Sequence, residues 1–488
     1  MAEENLIPKE ISKNKYVMEI HGEMRVPGVI YANQNILSQL TDDLKQGKEW
    51  NALKQIYNVA CLPGLEKGSM AMPDVHPGYG FCIGGVGAFN TEEGVISVAG
   101  VGFDINCGVR TIVLPIKKSD LSRDDLKGLS EELYNHIPAG LGKKGKLELS
   151  ESEIDEVLIK GSEYVVDRGY GFKDDLKFTE EEGKVKGSDP NNVSKLAKQR
   201  QFKQVGTLGS GNHYLEVQEI TDVYDEKIAK VYGLEKGQLI VSIHCGSRAL
   251  GHQIGTDYLK ELEEAAKKYE IPIREKELVC APFQSEEGQK YFSAVNAGIN
   301  CAFANRQVIS HLTREVFNKV LGIDEKEIKT LYGVGHNTCK LEMHDVDGEK
   351  KELLVHRKGA TRGFGPGREE VPAKYRSVGQ PIIIGGSMGT ESYILAGTKT
   401  GMHESFGSVC HGAGRIKSRF QAKKDYKSES ILEQLNKKGI IIKGHSMKGL
   451  VEEAPGVYKD VNEVINVMSE VDMVKKVVRM KPVIVIKG

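Results

Sequence analysis

Six glycine-rich segments constrain this chain more than any other feature: GVGFDINCGVR, GTLGSGNHYLE, IHCGSRALGHQ, VGHN, IIIGGSMGTESY and CHGAGR. Several follow runs of β-branched residues, so each reads as the loop at a strand end. Glycine lets the backbone approach a ligand closely, and successive N–H groups in such loops cradle anions. One loop of this kind is an ordinary tight turn. Six that also hold His, Cys, Asp or Asn read as the walls of a composite active site carried on a scaffold.

The scaffold is mixed. GVISVAGVG (94–102), VRTIVLPI (109–116), QLIVSIH (238–244), KELLVHR (351–357), QPIIIGG (380–386) and PVIVIKG (482–488) read as strands. TDYLKELEEAAKKY (256–269) and DVNEVINVMSEVDMVKKVVR (460–479) return apolar residues every three or four positions and read as helices. No fixed-period repeat and no low-complexity linker interrupts them. The expected fold is a compact mixed α/β (α+β) protein with glycine-rich active-site loops, one domain over residues 1–488, not a doubly wound sheet with one cofactor loop.

Composition narrows the class. Of 488 residues, 39% are hydrophobic and 28% charged, which suits a soluble globular protein. No apolar run approaches the roughly 18 residues a membrane span needs. The polar start MAEENLIPKEISKNKY lacks a signal-peptide core, so the expected location is cytoplasmic. The eight cysteines are scattered without a CxxC pair and read as reduced thiols. Net charge is -1, but residues 401–488 hold 16 Lys and Arg against 10 Asp and Glu. Such a segment is a basic face for phosphates or simply a solvated surface.

The chemistry-bearing groups gather in the loops. Asp104 and Cys107 lie three apart in FDINCG, and His213, His244 and His336 each stand among small residues. One carboxylate, one thiolate and three imidazoles suffice for two metals if the thiolate bridges. Donor softness favours zinc, with manganese second. His21, His136, His311 and His445 read as structural or surface residues, while His252 and His356 stay undecided. There is no GxxxxGK[ST] P-loop and no KxDG lysine nucleophile. GSMGTES offers backbone and hydroxyl donors, and Arg357, Lys358 and Arg362 in HRKGATRG suit an anion. His411 in CHGAGR is not needed as a ligand and can carry a phosphoryl or nucleotidyl group through a P–N bond.

Taken together, GVGFDINCGVR, GTLGSGNHYLEVQ, HCGSRALGHQ, VHRKGATR, GGSMGTESY, CHGAGR and the terminal VIKG resemble the RtcB family of GTP-dependent RNA ligases, in the expected order from MRVPGVIYA (24–32) onward. The resemblance implies joining of RNA 2′,3′-cyclic phosphate or 3′-phosphate ends to 5′-hydroxyl ends, in tRNA splicing or RNA repair, with GTP and two manganese ions. It implies that His411 becomes guanylylated. It assigns Cys107, His244 and His336 to one manganese, and Asp104, Cys107 and His213 to the other. Guanosine contacts would fall on Asn212, Glu216, Asn337, Gly386, Ser387, Met388, Ser392, Ala413, Gly414, Tyr458 and Lys487. Arg200, Arg248, Arg357 and Arg415 are candidates for RNA phosphate. An archease-type activator protein is a further partner the resemblance raises. The chain departs from the family pattern at Gly385, Glu391, Cys245 and Cys339. Two rival readings remain: a metal-dependent phosphoesterase with no covalent step, which would tolerate His411→Ala, and a catalytically silent RNA-binding protein, which would tolerate loss of Cys107.

Overall fold

Strands such as Tyr214–Val223 and Gln238–Cys245 alternate little between apolar and polar, and both are buried along most of their length. That pattern requires cover on both faces of a sheet. In the computed structural model, which describes residues 3–140, 142–444 and 446–488, this is what the chain builds. The central sheet runs in the order Lys329–Gly335, Gly108–Lys117, Gln238–Cys245, Tyr214–Val223, Val474–Lys487, Ser392–Gly397, Pro381–Ile384, with all these neighbours antiparallel. Ile441–Gly444 adds in parallel to the far half of Val474–Lys487. Successive residues point to opposite faces: Val241 and Ile243 enter the core on one side, Ile240 the core on the other. Each fully buried Leu, Ile or Val contributes about 1.5–3 kcal/mol relative to exposure.

A second sheet runs Lys9–Ser12, Lys15–Met18, Gly28–Tyr31, Ser69–His76, Ile83–Asn90, Glu349–Lys358, Asn337–Val346. The two sheets share one piece of chain. Lys329–Gly335 edges the first and Asn337–Val346 edges the second, so His336 is the residue between them. Helix Glu286–Leu321 packs against the first sheet and is buried on nearly every side. Its small residues (Ala294, Ala297, Gly298, Ala302, Ala304) let neighbours close in all round, so it carries little of the apolar periodicity that marks a surface helix.

Two sequence expectations are corrected. GVISVAGVG is a strand only at Val95–Ser97; Val98–Val101 is one helical turn, whose Gly100 leaves room for the His356 ring. The helix expected over 460–479 ends at Glu470, the chain reverses at Asp472 (φ 54), and the remainder enters strand Val474–Lys487. Val474, Val477 and Val478 are buried there, and burial overrides the local helical spacing. All eight cysteines are free and buried. Among the described residues no helix is long and apolar enough to cross a membrane. His136 and His311 both pair with Glu315, as structural residues do; His445 lies outside the described residues.

Candidate active site

The strand order of the central sheet brings four chain segments to one end. Gly108 pairs with both Cys245 and Gly335, and Tyr214 pairs with His244. Side chains just before or within these strands therefore converge. Cys107 Sγ lies 3.4 Å from His213 Nε2 and 3.2 Å from His244 Nε2, His244 Nε2 lies 3.2 Å from His336 Nε2, and His213 Nε2 lies 2.8 Å from Asp104 Oδ2. Two triads result, Cys107–His244–His336 and Asp104–Cys107–His213, with Cys107 common to both.

The donor set fits divalent metal. His213 Nδ1 donates to the Leu208 carbonyl at 3.0 Å and His244 Nδ1 to that of Asn212 at 3.2 Å. Both therefore turn an Nε2 lone pair inward, the orientation that ligating histidines take. Lone pairs and a thiol facing one another at these distances call for a cation between them. Asp104 Oδ1 is buried with no hydrogen-bond partner. Burial, reinforced by neighbouring imidazoles, holds His244 and His336 well below the usual imidazole range, so both are neutral donors. Burial works to raise the Asp104 carboxyl, but its neighbours His213 and Arg248 hold it at about 2. The Cys107 thiol is pushed well up by burial and by Asp104; a bound cation is what converts such a thiol to thiolate.

The loops are pinned from behind. Asn106 adopts φ 53, a conformation costing about 1–3 kcal/mol that persists only under surrounding constraint. The constraint is visible: Asn106 N–H donates to Asn337 O at 2.7 Å, and Arg306 Nη1 donates to the carbonyls of Asn106 and Cys245, both at 2.7 Å. Arg306 is fully buried on helix Glu286–Leu321.

Beside the metal triads opens a cavity of about 430 Å³. His411 lines it, placed by the two-stranded pairing of Ala360–Arg362 with Ser408–Cys410. Its ring centroid lies 4.8 Å from that of His336. Asp74, fully buried, accepts from His411 Nδ1 at 2.6 Å and from the backbone N–H groups of His411 and Gly412 at 3.0 and 3.3 Å. With Nδ1 committed to Asp74, the reactive lone pair is on Nε2. Burial opposes ionisation of Asp74, but His411 overcomes it and holds the carboxyl below its ordinary value. Asp74 escaped the sequence reading, since the aspartate of MPDVHPG stands 337 residues from its partner with no local signal.

Of the guanosine candidates, Asn212, Asn337, Gly386, Ser387, Met388, Ala413, Gly414, Tyr458 and Lys487 line this cavity. Glu216 and Ser392 are buried in a polar strip off the wall, each bonded to Gln218 Nε2, at 2.9 and 3.0 Å. Burial raises the Glu216 carboxyl to about 7 against the pull of Lys487. At Gly385 the Tyr214 hydroxyl packs against the backbone: a Cβ there would sit 2.2 Å from Tyr214 Oη, so a larger residue requires that ring to shift.

The arginine candidates separate. Arg415 lines the cavity, bonded to Glu453 and Tyr458. Arg248 lies behind it, its Nη1 3.4 Å from His213 Nδ1. Arg200 is an exposed residue bonded to Gln253. Arg357 is fully buried, its guanidinium held by Glu342 at 2.6 and 2.9 Å and by Ser408. Side chains alternate along a strand. Arg357 thus faces the core, and the next residue, Lys358, lines the cavity, its ammonium lowered to about 8 by burial. His252 also lines the cavity, whereas His356 is buried against Cys339 and the Ser97 N–H.

The family model described as tRNA-splicing ligase RtcB matches residues 55–488. The chain belongs to the RtcB family. Its relatives named tRNA-splicing ligase RtcB include one from Thermococcus kodakarensis, 48% identical over 483 residues (98% of each chain), and one from Methanococcus maripaludis, 48% identical over 467 residues (95% of each). Another, from Pyrobaculum aerophilum, is 45% identical over 483 residues, covering 97% of this chain and 98% of that one. The mixed α/β architecture and the RtcB-type ligase class are those the sequence motifs implied.

Proposed function

We propose that this RtcB-family protein is an RNA ligase that joins 2′,3′-cyclic phosphate or 3′-phosphate ends to 5′-hydroxyl ends, working as one catalytic domain in the cytoplasm. The observation that carries the reading is His411: an imidazole clamped by a buried carboxylate at 2.6 Å, its Nε2 free beside a Cys/His/Asp cluster. Such a pair is a nucleophile with its orienting group.

Cys107, His244 and His336 would hold one manganese ion and Asp104, Cys107 and His213 the other, supplying positive charge to the phosphoryl oxygens and a polarised water for opening a cyclic phosphate. His411 Nε2 attacks the α-phosphorus of GTP. A P–N bond forms, the bond to the β-phosphate breaks, and pyrophosphate leaves. Asp74 stabilises the cationic imidazole that results. An oxygen of the RNA 3′-phosphate then takes the GMP, releasing His411. The 5′-hydroxyl of the second RNA attacks the activated phosphate, the phosphodiester forms and GMP departs. Lys358, Arg415 and Lys487 supply fixed charge for the transferring groups. Tyr458 offers a ring for the purine, and Asn212, Ser387 and Met388 shape its pocket.

The test is incubation with α-labelled GTP and manganese, then peptide mapping. Acid-labile, alkali-stable label on the His411 peptide, absent from His411→Ala, is the expected result. An unlabelled protein that still hydrolyses phosphoesters would replace this reading with the phosphoesterase.

A further inference from the structure

Four aromatic rings from four separate segments form a continuous row that leads from the surface into the active-site cavity. The Trp50 ring lies 4.8 Å from Tyr79 at an interplanar angle of 82°, Tyr79 lies 6.2 Å from Phe103 at 88°, and Phe103 lies 5.4 Å from His252 at 32°. Tyr79, Phe103 and His252 line the cavity, and Phe103 immediately precedes Asp104. Trp50 and Tyr79 are 41% and 50% exposed. Single exposed aromatics are ordinary, but a contiguous set ending at a catalytic cavity is a binding feature.

The row is held rigid. Asn51, next to Trp50, caps helix Ala52–Ala60 by accepting from Leu53 and Lys54 N–H. From that helix Gln55 grips both sides of Gly78: its Nε2 donates to Gly78 O at 2.6 Å and its Oε1 accepts from Gly78 N at 3.0 Å. Glu275 accepts from Gly80 N at 3.0 Å, so Tyr79 stands between two clamped glycines. Phe103 packs over Gly255, where a Cβ would sit 2.8 Å from its ring. Edge-to-face packing fixes Trp50, Tyr79 and Phe103 against one another, while Trp50 and Tyr79 keep faces open to solvent.

We propose that Trp50, Tyr79, Phe103 and His252 form a stacking track for the bases of the RNA strand whose end enters the metal cavity. The inference rests on the ligase reading for its ligand. An end phosphate drawn in by Lys358, Arg415 and Arg419, all on the cavity wall, must be followed by nucleotides leaving across the rim. Unpaired bases stack on aromatic faces whatever their identity, at about 1–3 kcal/mol each. An end-joining enzyme has the same requirement, since it must hold ends of many sequences.

The chain contains one tryptophan, so its emission reports Trp50 alone. The full-length protein with manganese is titrated with short single-stranded RNA bearing either a 5′-hydroxyl or a 3′-phosphate end, and with the matching abasic strands. Saturable quenching by one RNA end and not by its abasic counterpart is expected, and identifies which end the track holds. Trp50→Ala and Tyr79→Ala should each raise KM for RNA about five- to a hundredfold, and Trp50→Phe should restore most of it. Unchanged emission with both RNAs, equal quenching by abasic strands, or an unchanged KM in Trp50→Ala overturns the track. Failure of the ligase reading is seen separately, as absence of GTP-derived label on wild-type His411.

Discussion

Replacing Asp74 by asparagine isolates the contribution of one buried charge to the proposed nucleotidyl transfer. The substitution keeps shape and volume. With its amide oxygen in the place of Oδ2, the asparagine side chain still accepts from His411 Nδ1 and from the backbone N–H groups of His411 and Gly412, so His411 stays oriented. What is lost is the negative charge facing an imidazole that, in the proposed mechanism, becomes cationic as the P–N bond forms. At a separation of roughly 4 Å between charge centres, and an effective dielectric of about 20, that interaction is worth about 4 kcal/mol. Converted at about 1.4 kcal/mol per decade, it predicts a fall of about a thousandfold in the single-turnover rate of His411 labelling at saturating GTP. The concentration of GTP at half-maximal rate should barely move, because the cavity wall is otherwise intact. The assay is rapid-quench labelling with α-labelled GTP, run beside a thermal melt to show that the Asp74→Asn protein is folded. A folded variant that labels within about tenfold of the wild-type rate refutes the assignment of Asp74 as the charge partner of the intermediate.

Metal stoichiometry separates the two triads: after dialysis against manganese, Cys107→Ala should lose both equivalents and His213→Ala one, by elemental analysis, and two retained ions in Cys107→Ala would refute the bridge. Arg357→Ala should lower stability by about 3–5 kcal/mol in urea unfolding, as removal of one partner of a buried pair does; a stable variant with weakened RNA binding would restore Arg357 to the RNA site. Burial alone would raise the Asp175 carboxyl, but a two-point contact with Arg314 at 2.6 and 2.7 Å holds it well below the usual range. Its folded value is depressed, so the stabilisation is complete above the unfolded carboxylate value of about 3.9 and is lost as pH falls below it. Asp175→Asn should flatten that acid limb in urea midpoints measured from about pH 6 to about pH 3.

The sequence was most legible where local chemistry is dense. Asp104, Cys107, His213, His244 and His336 each stand in a glycine loop at a strand end, and antiparallel pairing brings those ends together. It was least legible where the deciding fact is a contact across the chain. Nothing around Asp74 signals His411, and nothing around Arg306 signals that one guanidinium fixes the carbonyls of two site loops. Arg357 and Lys358 look interchangeable in VHRKGATR; only strand parity, set by pairing with Ile83–Asn90, sends one to the core and the other to the cavity. The Val474–Lys487 strand was misread in its first half because apolar spacing in VDMVKKVVR satisfies a helix as well as a two-sided strand.

The pairing of Tyr214–Val223 with Val474–Lys487 has a consequence for synthesis. A chain emerging from the ribosome completes the first of these strands long before the second exists. Its partner edge, carrying Leu215, Val217 and Ile220, stays open meanwhile, the kind of unpaired edge that recruits other chains. Lys487, which lines the cavity beside the Cys/His/Asp cluster, arrives on the strand that closes this edge. Closing the sheet and completing the cavity wall are thus a single event. A ribosome-bound nascent chain halted before residue 474 should be both inert toward GTP and a client for chaperones that shield exposed strands.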